Sequence, residues 1–193
     1  MSTATAPTLM TAEEFLALPD DGVERWLIRG VLREKRDTDM TMRNKPHSIT
    51  EARLAKILGN WLDTQPEPRG EVASGEAGFI LRRDPETISA GVDVAIITTA
   101  QADARDPDTT LIVGPPHMIA EVLSPHDTQE EVAERVTEYL DCGVRVVWVV
   151  STHFRTVTVH RPDTEPVLFN RSHVLTGDPE LPGFSCPVAK FFR

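Results

Sequence analysis

Cysteine is almost absent from this 193-residue chain, with Cys142 and Cys186 the only two. Two thiols make no disulfide framework, and their spacing suits no zinc site. Reduced thiols in the cytoplasm are the simplest reading. Long apolar runs are missing as well, and nothing approaches the roughly 18 residues that a membrane helix needs. The opening residues, MSTATAPTLM, lack both a basic region and an apolar stretch, so residues 1–10 read as a short disordered lead-in rather than a signal peptide. Gly-rich phosphate loops are absent, and so are GxSxG, HExxH and CxxC. A Ser or Cys nucleophile has no support beyond Ser124, which is better suited to capping a helix. Repeats and low-complexity linkers are lacking too, so residues 11–193 are expected to form one domain with a sizeable core.

Positive charge is scarce. Twenty Lys and Arg face 30 Asp and Glu, a net charge of −10 that argues against a blanket nucleic-acid binder. The distribution is uneven, however. Arg25 to Lys56 holds nine basic residues against four acids, whereas Gln101 to Asp141 holds two against ten. One segment is suited to phosphate and the other to gathering carboxylates, unless both are simply solvated faces.

The hydrophobic pattern predicts a mixed α/β chain. A short helix is expected over residues 11–18, capped by Thr11. "VERWLIRGVLREK" breaks at Gly30 into a strand pair. "PHSITEARLAKILGNWL" puts Ile49, Leu54, Ile57, Leu58, Trp61 and Leu62 at helical spacing. "EVASGEAGFILRR" and "VDVAIIT" read as strands around a turn-rich "DPETISAG", followed by a loop from Thr99 to Pro116. The strand "MIAEVLSP" leads into a helix with Ser124 or Asp127 as cap, the pair Asp127 and Glu130 as a capping box, and Gly143 as its stop. "RVVWVV" is a central strand, two outer strands follow, and a short element closes the chain. One strand–helix–strand crossover among antiparallel strands gives a mixed sheet flanked by helices.

Two acids lie in apolar strands, Asp93 in "AGVDVAIIT" and Glu121 in "MIAEVLSP". A buried ionised carboxylate is costly unless it is paired, hydrogen-bonded or on a metal. If the strands are neighbours, the two carboxylates repel unless one takes a proton or a divalent cation bridges them. Oxygen ligands suit Mg²⁺ or Mn²⁺. Arg135 shares the inward side of the next helix with Val132 and Tyr139. It can hold a phosphoryl oxygen, or it can be an ion pair with Glu131 or Glu138. His47 starts the long helix, either as a cap-proximal surface residue or as a neutral ligand. Glu24 is either an exposed strand acid or a further carboxylate of the site.

The order "MTAEEFLALPDDGVERWLIRGVL", "PHSITEARLAKIL", "GVDVAIIT", "AEVLSP" and "AERVTEYLDCGVRVVWVV" resembles a bacterial family of uncharacterised restriction-endonuclease-like proteins in the PD-(D/E)xK nuclease superfamily. The resemblance runs from about Met10 to the C-terminus. It implies a restriction-endonuclease-like core with additional antiparallel strands. It also implies a Mg²⁺- or Mn²⁺-dependent nuclease acting on DNA, with an inactive nucleic-acid- or protein-binding module on the same fold as the alternative. By resemblance the superfamily acids fall on Asp93 and Glu121, with Val92 where proline is usual. The family histidine falls on His47 and its first glutamate on Glu24. The superfamily lysine would fall on Leu123; the lysine that this family carries on the next helix falls on Arg135. The implied metal ligands are therefore Asp93, Glu121 and His47, and the implied catalytic set is Asp93, Glu121, Arg135 and Glu24. A homodimer is expected on general grounds.

Overall fold

The structure, a computed structural model, describes residues 9–19, 21, 23, 25–34 and 44–192. The expected lead-in lies outside the described residues up to Thr8, and Glu24 lies outside them too. Thr11 caps a first helix, α1 (Ala12–Leu16), in a reciprocal capping box with Glu14. Strands β1 (Arg25–Ile28) and β2 (Val31–Glu34) pair antiparallel around Arg29 and Gly30. Both turn residues have positive φ, 51° and 77°, as a two-residue hairpin of this twist requires.

The long helix α2 (Lys45–Leu62) is capped by Asn44, with Pro46 in its first turn. It buries His47, Thr50, Leu54, Leu58 and Leu62. Ile49, expected on the inward face, is exposed instead, because the stripe that meets the sheet is set by the 47–54–58 phase. Strands β3 (Glu71–Arg83) and β4 (Glu86–Ile97) form a long antiparallel pair. Most of the expected turn-rich segment therefore belongs to β4, whose apolar Ile88 and polar Thr87 and Ser89 are all buried. The expected loop from Thr99 contains helix α3 (Thr99–Asp103), capped by Thr98, and strand β5 (Ile112–Val113), parallel to β3.

Strand β6 (Met118–Leu123) pairs antiparallel with β4 and parallel with β7 (Val146–Ser151). The crossover helix α4 (Gln129–Asp141) joins the parallel pair. Its cap is Thr128, in a capping box with Glu131, one residue later than the Asp127 and Glu130 expected. Asp127 instead accepts from the Ser124 N–H at 2.6 Å and lies 3.4 Å from Arg135. Beyond β7 come β8 (Thr156–His160) and the edge strand β9 (Val167–Phe169). Strands β10 (Val174–Thr176) and β11 (Ser185–Pro187) form a separate pair, and a 3-10 turn over Val188–Phe192 ends the fold.

The main sheet runs β2–β1–β4–β6–β7–β8–β9, with β3 branching from β4 and β5 pairing with β3. Helix α2 covers one face through Leu54 and Leu58, which pack with Val94, Ala120, Trp148 and Phe191. Helix α4 covers the other through Val136 and Tyr139, against Ala95, Ile119 and Val147. Leu54 is fully buried about two turns beyond His47, so it fixes the helix that carries that ring. Leu54→Ala should cost about 2–5 kcal/mol in chemical denaturation. Lys56→Ala, on the exposed side of the same helix, should stay within about 0.5 kcal/mol of the parent.

Candidate functional site

Strand β4 is paired with β3 along its length, but its other edge is shared. Its first half faces β1 at Ile88 and Ser89, and its second half faces β6 from Val94 to Ile96. Between Ser89 and Val94 that edge changes partner, and Gly91 sits there with φ at 146°. Asp93 occupies this fork and is 2% exposed. Its Oδ2 accepts the Val122 N–H at 2.7 Å, so a side chain takes a ladder bond that backbone would otherwise supply. Its Oδ1 is buried, lies 3.4 Å from His47 Nε2, and makes no hydrogen bond among the described residues.

His47 comes from the start of α2, where Asn44 accepts its backbone N–H and directs the ring inward. One turn on, Glu51 lies with Oε2 3.8 Å from His47 Nδ1. The Gly75 N–H in the β3 bulge donates to Glu51 Oε1 at 2.9 Å. Gly75 has φ at 82°, which glycine adopts without strain, and this turns the amide toward the helix. His47, Glu51 and Asp93 each offer one ligand atom, and these atoms lie within 4.8 Å of one another. Burial and the charge of Asp93 raise the Glu51 carboxyl above its ordinary pKa, against the opposing Gly75 hydrogen bond and His47. Two carboxylates and one imidazole, with a buried carboxylate oxygen left over, suit a divalent cation.

Contrast Glu138, equally buried on α4. It accepts from Arg29 Nε at 3.0 Å and from Thr87 Oγ1 at 2.8 Å, with Arg82 at 3.6 Å. That is how this protein satisfies a buried acid for structure alone. Asp93 has no such arginine among the described residues.

Glu121, on β6, reaches the fork from the α4 side. Its Oε1 accepts the Tyr139 O–H at 2.8 Å, and Tyr139 is bonded in turn to Ser89 at 2.9 Å. Burial pushes the Glu121 carboxyl up to about 7, and the Asp93 charge adds to this, against Arg135 and the Tyr139 hydrogen bond. Arg135 projects from α4 with its guanidinium carbon 5.7 Å from the Trp26 ring centre. Glu121, Arg135, Tyr139, Ser89 and Gly91 line a cleft of about 20 Å³, room for one water molecule.

A family model named Uma2, described as "Putative restriction endonuclease", matches residues 12–189. The chain belongs to the Uma2 family. Among solved structures, this Uma2 chain is similar to a protein from Anabaena variabilis described as "a putative nuclease belonging to DUF820". The TM-score is 0.75 at 18% identity, covering 95% of this chain and 97% of that one. No curated protein matches the sequence. The Uma2 fold is thus an α/β restriction-endonuclease-like one, a mixed sheet with antiparallel strands flanked by helices.

The structure brings four of the sequence-nominated residues to one end of this sheet: Asp93, Glu121, His47 and Arg135. The fifth, Glu24, lies outside the described residues. His47 and Asp93 share one group with Glu51, and Glu121 is not in that group. Glu51 was missed, although "HSITE" places it four residues after His47 on the same helix face. Arg135 meets Asp127, not Glu131 or Glu138.

The raised Glu121 pKa has a sign that stability measurements can read. A carboxyl at about 7 in the folded protein and 4.5 in the unfolded chain stabilises the fold fully below pH 4.5. That stabilisation is lost as pH rises through 7, a loss on the order of 3 kcal/mol, and Glu51 acts in the same direction. In EDTA, the parent should therefore be less stable to urea at pH 8 than at pH 5. Glu121→Gln should lose most of that difference, and an identical pH dependence in parent and variant would show that Glu121 titrates normally.

Proposed function

We propose that this protein is a metal-dependent nuclease hydrolysing phosphodiester bonds in DNA, with Mg²⁺ or Mn²⁺ held by His47, Glu51 and Asp93. The observation that carries this is the convergence of those three ligand atoms within 4.8 Å, with the buried Asp93 Oδ1 facing them. The imidazole favours Mn²⁺ over Mg²⁺, since Mg²⁺ takes oxygen ligands almost exclusively. Such an ion, when bound, supplies a water of lowered pKa and polarises a phosphate oxygen.

The chain's own residues do the rest. Glu121, held by the Tyr139 O–H beside a water-sized cleft, accepts the proton of the attacking water. Arg135 stays protonated at any accessible pH, so it cannot act as a base. It stabilises negative charge as this develops on the phosphate. Glu24 is a further carboxylate of the proposed site on the family resemblance alone. Free Cys142 and Cys186 fit a reducing cytoplasm. A homodimer would present two such sites to the two strands of a duplex.

The second reading, an inactive binding module on the same fold, is favoured by one observation. Arg135 stands where the resemblance expects lysine. Turnover separates the two. Plasmid, linear and single-stranded DNA with Mn²⁺ should be cut by the parent, and Arg135→Ala should lower the rate by about 10²-fold. If neither the parent nor Arg135→Lys cuts any of these with Mg²⁺ or Mn²⁺, the binding module is the correct account.

The metal site has its own test. Outer-shell partners alone are worth about 10–100-fold in metal affinity. Calorimetric Mn²⁺ affinity should therefore fall at least about tenfold in Asp93→Asn and in Glu51→Gln. Unchanged affinity in both variants would place any bound ion elsewhere.

A further inference from the structure

A second feature lies at the same end of the sheet. The carboxyl ends of the parallel strands β6 and β7 point to one rim, and the start of α2 lies at that rim because His47 reaches Asp93 there. Between the first half of α2 and the turn joining β7 to β8 runs a groove of about 300 Å³. Its cations are Lys45, Arg53 and Arg155, and no acid lines it among the described residues. None of the three has an ion pair or side-chain hydrogen bond among the described residues.

This differs from the other half of the basic segment. Arg25 is paired with Asp21 and Glu34, Arg29 with Glu138 and Asp141, and Arg33 with Glu134. Those arginines are spent on the protein's own acids. In a chain of net charge −10, three cations around one groove, none paired among the described residues, are a concentrated positive field. The amino end of an 18-residue helix adds to it.

We propose that this groove holds the phosphodiester backbone of a DNA strand as it runs away from the metal site. The proposal rests on the nuclease reading and names the track that its substrate follows. Lys45 and Arg53 are eight residues apart on α2, about 12 Å along the helix axis. Successive phosphates of a B-form strand rise about 3.4 Å, so the groove spans about three of them. That length suits a continuous strand better than a single phosphate. Phosphate contacts of this kind position the strand and carry no sequence information.

The test is the salt dependence of binding to a 20-base-pair duplex, followed by fluorescence anisotropy in EDTA so that no cleavage occurs. Each lost phosphate contact should flatten the slope of log K against log salt by about 0.9. The variant Lys45→Gln/Arg53→Gln/Arg155→Asn should therefore have a slope shallower by about 2 to 3. Asn is chosen at Arg155 because φ is 54° there and asparagine tolerates that backbone. Circular dichroism and urea midpoints matching the parent confirm that the variant folds. Arg145→Gln, an exposed cation at the opposite, amino end of β7, should keep the parent slope, since it lies outside the groove.

An unchanged slope in the triple variant overturns the track, even if the parent cleaves DNA with Mn²⁺; the nuclease reading would then survive without it. A groove-dependent slope in a parent that never cleaves does the reverse, keeping the track and removing the nuclease. Inorganic phosphate is the remaining arm. If it binds the parent with sub-millimolar affinity in a groove-dependent way while the duplex slope is unaffected, the groove is a small-anion site and the proposal fails.

Discussion

Everything at this site depends on one hydrogen bond, the Val122 N–H donating to Asp93 Oδ2. A carboxylate in place of a backbone carbonyl lets β4 and β6 separate where β4 changes partner. It also commits one oxygen of Asp93 to the sheet and leaves the other facing α2. Removing an acid so placed from water is expensive, and the expense is justified only if something cationic meets the second oxygen. Glu138 shows the alternative, a buried acid satisfied by arginines and a threonine. The two acids lie in one fold under similar burial, and their partners set them apart.

Around that bond the protein sorts its charges. The acidic face of α4 is neutralised by Arg29 and Arg33 from the β1–β2 hairpin, which also ties the hairpin to the sheet. The exposed pairs to Asp141 and Glu134 add little stability each, but together with the buried Glu138 they remove positive charge from that side. Among the described residues, Lys45, Arg53 and Arg155 are left unpaired along the groove between α2 and the β7–β8 turn. Two segments that look complementary in sequence thus meet each other through Arg29 and Arg33, and among the described residues only part of the basic one remains for an outside partner.

Much of this fold was legible in the sequence. Continuous apolar runs marked β6 and β7, and Gly30 and Gly143 marked a turn and a helix end. The misplacements have local causes. Thr128 displaced Asp127 as cap of α4 because Asp127 is already held by the Ser124 amide and Arg135. Strand β4 extends through "ETISAG" because long pairing with β3 outweighs the weak strand preference of glycine and alanine. Asp93, Glu121, His47 and Arg135, which the fold brings to one end of the sheet, were also nominated by the sequence. Glu51 was not, because its role depends on a bulge in β3 that brings the Gly75 amide to it, a contact 24 residues away. Nor was the fork itself, since no sequence pattern tells which two strands share one edge of β4.

The central claim is that the fork is built around a cation, and crystals soaked in Mn²⁺ test it most directly. Anomalous scattering at the manganese edge should give one strong peak within bonding distance of Asp93 Oδ1, His47 and Glu51. A soaked crystal whose Asp93 Oδ1 instead meets only protein or water, with the manganese peak elsewhere or absent, would contradict the account.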